Sequence, residues 1–282
     1  MCFILILYEY ILLCLVKFTI FVKKNYMSLI NYTKKFFKKD KELDLDKLPS
    51  MGLFYNNDFK AKIRKAKEED IIFYEHGYEE DNISLIISKL KEVVKNNIKF
   101  SKGYTFNDLV SIDIIYIFIE IVKLTTNKKV GFNDLNKETL NIEFIEFSEK
   151  TFKYIELDKK LLKAYDKKNK VFDILGYKYS LPKIGVENSL SDFLVTKTLQ
   201  GKGEYYSNMF LDFTYFSSHK KYLTFTEIEN LVKVFNEDIT EKEMEKINYI
   251  LDIFKPFQKY SLVKNGEEID IKGRIDLKNI WK

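Results

Sequence analysis

The sequence is short of the residues that carry most protein chemistry. Of 282 residues, two are cysteine (Cys2 and Cys14), two histidine (His76 and His219), two arginine (Arg64 and Arg274) and three proline. Both cysteines lie in the apolar first stretch, so the remainder can build neither a disulfide framework nor a thiolate metal site, and a reducing compartment is expected. Two histidines fall short of the usual zinc ligand sets. Neither His-x-x-x-His, nor Gly-x-Ser-x-Gly, nor a Gly-x-x-x-x-Gly-Lys-[Ser/Thr] phosphate loop occurs. Bidentate reading of bases and phosphates leans on arginine. With almost none, and a formal charge of only +5, the chain is ill-equipped to read a nucleic acid sequence. No enzyme, cofactor or metal is expected.

Aromatics are plentiful. The chain holds 24 Phe and 19 Tyr within a composition that is 46% hydrophobic and 32% charged. That is a globular profile, long enough for one large core or two modest ones, with aromatic-heavy packing.

Residues 2–22 form an apolar run broken by Glu9, Lys17 and Thr19 and followed by Lys23 and Lys24. Its length suits a membrane span with the C-terminal side cytoplasmic. It makes a poor signal peptide, because no basic residue precedes it and no small-residue cleavage site closes it. A second reading places the true start at Met27 and treats residues 1–26 as a mis-assigned extension. Residues 27–47, basic around Lys34 to Lys41 and acidic from Glu42 to Asp46, read as a flexible charged leader.

The stretch Leu48-Pro49-Ser50-Met51-Gly52-Leu53-Phe54-Tyr55 is the most distinctive in the chain. Pro49 fixes φ, Gly52 tolerates φ > 0, and the turn delivers Leu53, Phe54 and Tyr55 close together. From Phe59 to Ala66, apolar Phe59, Ala61 and Ile63 alternate with Lys60, Lys62 and Arg64, the pattern of a half-buried strand. The octet resembles the Leu-Pro-Ser-x-Gly-x-Phe-Tyr signature near the start of the baseplate hub assembly proteins of T4-like bacteriophages. That resemblance favours Met27 as the start. It implies a non-enzymatic tail protein, an assembly factor or a subunit of the central hub. The partners would be other phage baseplate hub or tail proteins, with no nucleic acid. The site would be the host cytoplasm during assembly, or the virion baseplate. The alternative is a membrane-anchored cytoplasmic binding module using residues 2–22. Some relatives carry Cys-x-x-Cys pairs at comparable hairpins, as if for zinc. Here Ser148-Glu149-Lys150-Thr151 stands near that place, without cysteine. We take Leu48, Pro49, Gly52, Leu53, Phe54 and Tyr55 as the candidate partner-binding residues, held in shape before docking.

Beyond the octet, Lys67–Glu75 reads as a short helix capped by Gly77, and Asp81 as the cap of a helix ended by Asn96 and Asn97. Thr105–Leu124 reads as a nearly buried helix, with a strand pair as the alternative. Asn141–Phe147, Phe152–Leu157 and Val171–Tyr179 are β-branched and aromatic, ending at Pro182. Helices follow from Ser189 to Leu199 and around Tyr206–Phe216. Two more open at the Thr224–Glu227 and Thr240–Glu243 capping boxes, the last ending at Pro256. Asn265-Gly266 marks a terminal hairpin. Glu75-His76 with Glu79, Glu80 and Asp81, and the Gly201-Lys202-Gly203 turn, are the nearest approaches to a metal or phosphate site. Helix ends explain both.

The expected fold class is α+β, mostly helical, with an N-terminal turn-strand, a small antiparallel β insert and a C-terminal hairpin. The divisions are 48–139 for motif and helical core, 140–182 for the insert and 183–282 for the helical C-terminal part.

Overall fold

The computed structural model describes residues 40–76, 83–135, 142–147, 162–174, 177–203, 206, 220–234, 239–258, 261–264, 267–270 and 280–281. The chain divides after Asp40 into two compact units, and every element below belongs to the second, Lys41–Lys282. The apolar stretch 2–22 lies outside the described residues, as do Gly77, Asp81, Phe152–Leu157 and nearly all of Tyr206–Phe216. Among the described residues, no helix is long and apolar enough to cross a membrane.

The fold is α+β. Strands β1 (Lys41–Glu42), β2 (Ala61–Ile63) and β3 (Ile98–Phe100) form an antiparallel sheet in that order. The expected alternation holds along β2: Phe59, Ala61 and Ile63 are buried while Lys60 and Lys62 face solvent. The strand is central to its sheet, because residues 41–42 pair with it. This corrects the flexible leader at its C-terminal end. Lys41 to Lys47 belong to the folded unit, since Leu43 is buried and Leu45–Lys47 form a 3-10 turn capped by Asp44.

Helix α1 (Glu68–Glu75) opens at Lys67 with three acidic residues in its first turn, which suits its positive end. Helix α2 (Ile83–Asn97) buries Leu90, Val93 and Val94 and ends at the expected asparagines. Helix α3 (Ile114–Thr126) is the centre of the core. Ile114, Tyr116 to Ile119, Ile121 and Val122 are all buried, because the segment is apolar nearly all round. It ends at Asn127 in the left-handed conformation.

Its start differs from expectation. Residues Thr105 to Asp113 hold two 3-10 turns, Phe106–Asp108 and Ser111–Asp113, in place of a longer helix. Asp108 accepts from both the backbone and the hydroxyl of Thr105, closing the first turn on itself. Val110 is then extended and bridges to Lys183. The strand-pair alternative for this region does not hold.

A hairpin pairs β4 (Gly131–Leu135) with β5 (Ile142–Glu146), so the β-rich region begins before residue 140. Strands β6 (Tyr165–Asp166), β7 (Val171–Ile174) and β8 (Tyr177–Tyr179) make a second antiparallel sheet. The β-branched and aromatic stretch Val171–Tyr179 thus holds two paired strands. Helix α4 (Ile184–Leu199) begins directly after Pro182, five residues before the expected Ser189. It packs on α5 (Phe225–Lys233) through Val186, Leu190 and Phe193 against Leu223, Ile228 and Val232, a second small core.

Both capping boxes form, with Thr224 and Glu227, and Thr240 and Glu243, bonded reciprocally. Helix α6 (Glu241–Gln258) runs two residues past Pro256. Proline there removes one late backbone hydrogen bond without ending the helix. Strands β9 (Ser261–Lys264) and β10 (Glu267–Asp270) pair with Lys264 opposite Glu267, as the Asn-Gly signal implies. At the chain's end, Trp281 is buried in the main core against Tyr74 and Phe118.

Candidate functional site

The octet converges on one side chain from a distant part of the chain, Asp113. Asp113 lies fully buried at the start of α3. Ser50 donates to it twice, from its backbone N–H to Oδ1 at 2.8 Å and from its hydroxyl to Oδ2 at 2.6 Å. The Tyr55 hydroxyl donates to Oδ2 at 2.7 Å and accepts the Val110 N–H at 3.0 Å. A buried carboxylate is tolerated only when its lone pairs are met, and the turn meets them with neutral donors.

Burial raises the Asp113 carboxyl from 3.8 to about 6, against the opposing hydrogen bonds from Ser50 and Tyr55. Burial, the Asp113 charge and the bond to it push the Tyr55 phenol well above its ordinary value. The turn itself is tight. Met51 (φ 54°) and Gly52 (φ 69°) are both left-handed, and its own bonds are short-range, such as Met51 N–H to Leu48 carbonyl at 2.7 Å. Glycine avoids strain at such an angle, whereas Met51 does not.

This placement corrects the docking expectation. Leu48, Pro49, Phe54 and Tyr55 are buried, and Gly52 and Leu53 are half-buried. Tyr55 stacks on Phe59 with ring centroids 4.4 Å apart, and Phe54 packs at 6.0 Å from Phe172. The Leu53 carbonyl accepts from the Tyr165 hydroxyl. In the folded chain Leu48, Phe54 and Tyr55 complete its own core. The apolar octet beside a half-polar strand suggested exposure because the 63-residue separation from Asp113 leaves no local trace.

Two further polar clusters join elements. Asp70, buried at the start of α1, accepts from Asn96 and Asn97 at the end of α2. Asp108 pairs with Lys221 at 2.6 Å, and Lys183 stands nearby, its ammonium pulled below the usual range by burial and by Lys221 against the opposing pull of Asp108. The first ties α1 to α2, and the second ties the segments before α4 and α5 to the one before α3. Neither combines a nucleophile with a base, and His76 at the end of α1 is exposed. Among the described residues no three of His, Cys, Asp and Glu come together as metal ligands. What the Asp113 arrangement can do chemically is hold a turn and bind a proton.

No family model, curated protein or solved structure matches the chain.

Proposed function

We propose that the chain is a non-enzymatic protein that acts, through protein–protein contacts, in assembling the central hub of a T4-like bacteriophage baseplate. One observation carries the reading. In Leu-Pro-Ser-x-Gly-x-Phe-Tyr, the specified positions are the ones the fold uses. Leu48, Pro49, Ser50, Phe54 and Tyr55 are buried, Ser50 and Tyr55 bond Asp113, and Gly52 has φ 69°. The two unspecified positions, Met51 and Leu53, are both half-buried. A signature of structural origin would have this form, and that supports the reading.

The contacts with other hub proteins then fall on surfaces other than the octet's aromatic pair. Deleting the gene from the virus that carries it tests the proposal. The expected result is filled or empty heads without baseplates in electron micrographs, restored by the gene in trans. Normal tailed, infectious particles would overturn it.

A further inference from the structure

Beside its apolar burial, the Leu48–Tyr55 turn donates its buried side-chain hydrogen bonds to one carboxylate of the body. Three hydrogen bonds from the turn end on Asp113, two from Ser50 and one from Tyr55. No lysine or arginine forms an ion pair with Asp113 among the described residues. From the turn it faces Tyr55, its one titratable hydrogen-bond partner. From the segment before α3 it meets Val110 only through the Tyr55 hydroxyl. Asp108, the nearest carboxylate along the chain, is taken up by Lys221. The turn's backbone-to-backbone bonds are all short-range, Leu48 to Leu45, Met51 to Leu48, Leu53 to Ser50 and Tyr55 to Gly52, and it carries a strained non-glycine residue at Met51.

We propose that the 48–55 turn is a proton-linked latch, closed more firmly when Asp113 is protonated and released more readily when it is ionised. The closed state holds the carboxylate away from water among neutral groups, whereas opening returns it to solvent. A proton therefore binds more tightly to the closed state. Closure gains as pH falls through about 6, the gain is complete below about 3.8, and it is lost again as pH rises. This is the reverse of a salt-bridged carboxylate. Opening would uncover Leu48, Phe54 and Tyr55 together.

Native-state amide exchange of Ser50, whose N–H donates to Asp113, reads the latch directly. After correction for intrinsic rates, the opening constant should be about tenfold larger at pH 7.5 than at pH 5. Asp113→Asn should remove that difference. Because this variant leaves a hydroxyl without its acceptor and could fail to fold, carboxyl carbon shifts of the wild-type protein give a second measurement. Asp113 should titrate near 6. Titration near 4 or below, or equal Ser50 opening at both pH values, would overturn the latch. A pH dependence that survives in Asp113→Asn would assign it to another group and overturn it too.

Discussion

Asn97 and Asp70 fasten the end of one helix to the beginning of another. The Asn97 amide donates to Asp70 Oδ2 at 2.8 Å and to the Val93 carbonyl at 2.9 Å, while Asp70 also accepts from the Lys67 N–H. Asn97→Ala should therefore cost about 1–3 kcal/mol, the scale for leaving buried polar partners unmet. Urea unfolding should show a lower midpoint at an unchanged slope. Asn97→Asp should cost more at pH 7, by facing two carboxylates, and recover part of the loss on acidification.

The octet should behave as core. Phe54→Ala is expected to lose about 3–5 kcal/mol, as buried phenylalanines do. Tyr55→Phe keeps the ring but strips one donor from Asp113 and the acceptor of the Val110 N–H. It should lose about 1–3 kcal/mol. Wild-type stability in both variants would return the octet to the surface and revive its docking role.

Glu120 on α3 makes the opposite pH signature to Asp113. Burial tends to raise its carboxyl, but Lys41 at 2.6 Å and Lys123 at 3.2 Å outweigh burial and hold it below 4.5. Its contribution is therefore present above about pH 4.5 and lost as pH falls through the lowered folded value. Denaturation at a series of pH values should show the acid limb flatten in Glu120→Gln, with the variant less stable than wild type at pH 7.

Gly185 is required by close approach. A Cβ there would stand 2.1 Å from the Lys221 carbonyl and 3.0 Å from Asn107 Cβ. Gly185→Ala gains helix propensity, about 1 kcal/mol, yet should be destabilising overall because backbone has to shift. Thermal unfolding should show a lower midpoint. A raised midpoint would mean that α4 can slide away from residue 221 without loss.

Local patterns were legible in the sequence, and long-range ones were not. The alternation along β2, both Thr-x-x-Glu boxes, the Asn-Gly hairpin and the apolar run at α3 depend on neighbours within a few residues, so spacing alone reveals them. The pairing of residues 41–42 with β2 was hidden, because charged Lys41 and Glu42 carry no strand pattern. The early start of α4 was hidden by Gly185, which weakens helix propensity but serves packing. Asp113 was the largest omission. A single carboxylate inside an apolar run needs partners wherever it folds, and that was the available signal. Which residues would supply them depended on a turn far back in the chain. Reading Leu53, Phe54 and Tyr55 as exposed followed from the same gap.

Trp281, the sole tryptophan, closes a core whose other walls are laid down far earlier. Its ring meets Phe118 edge-on at 5.6 Å and Tyr74 at 6.1 Å, although Tyr74 sits near the first quarter of the chain. During synthesis, the helices bearing those two residues emerge long before their last neighbour does. Until Trp281 has been made, that side of the core lacks its cover. Long sequence separation also makes this contact slow to find, since a large loop must close before it rewards the chain. Completion of this core is thereby tied to the synthesis of residue 281. A chain cut just before residue 281 carries both of those helices and lacks the side chain that closes the space between them.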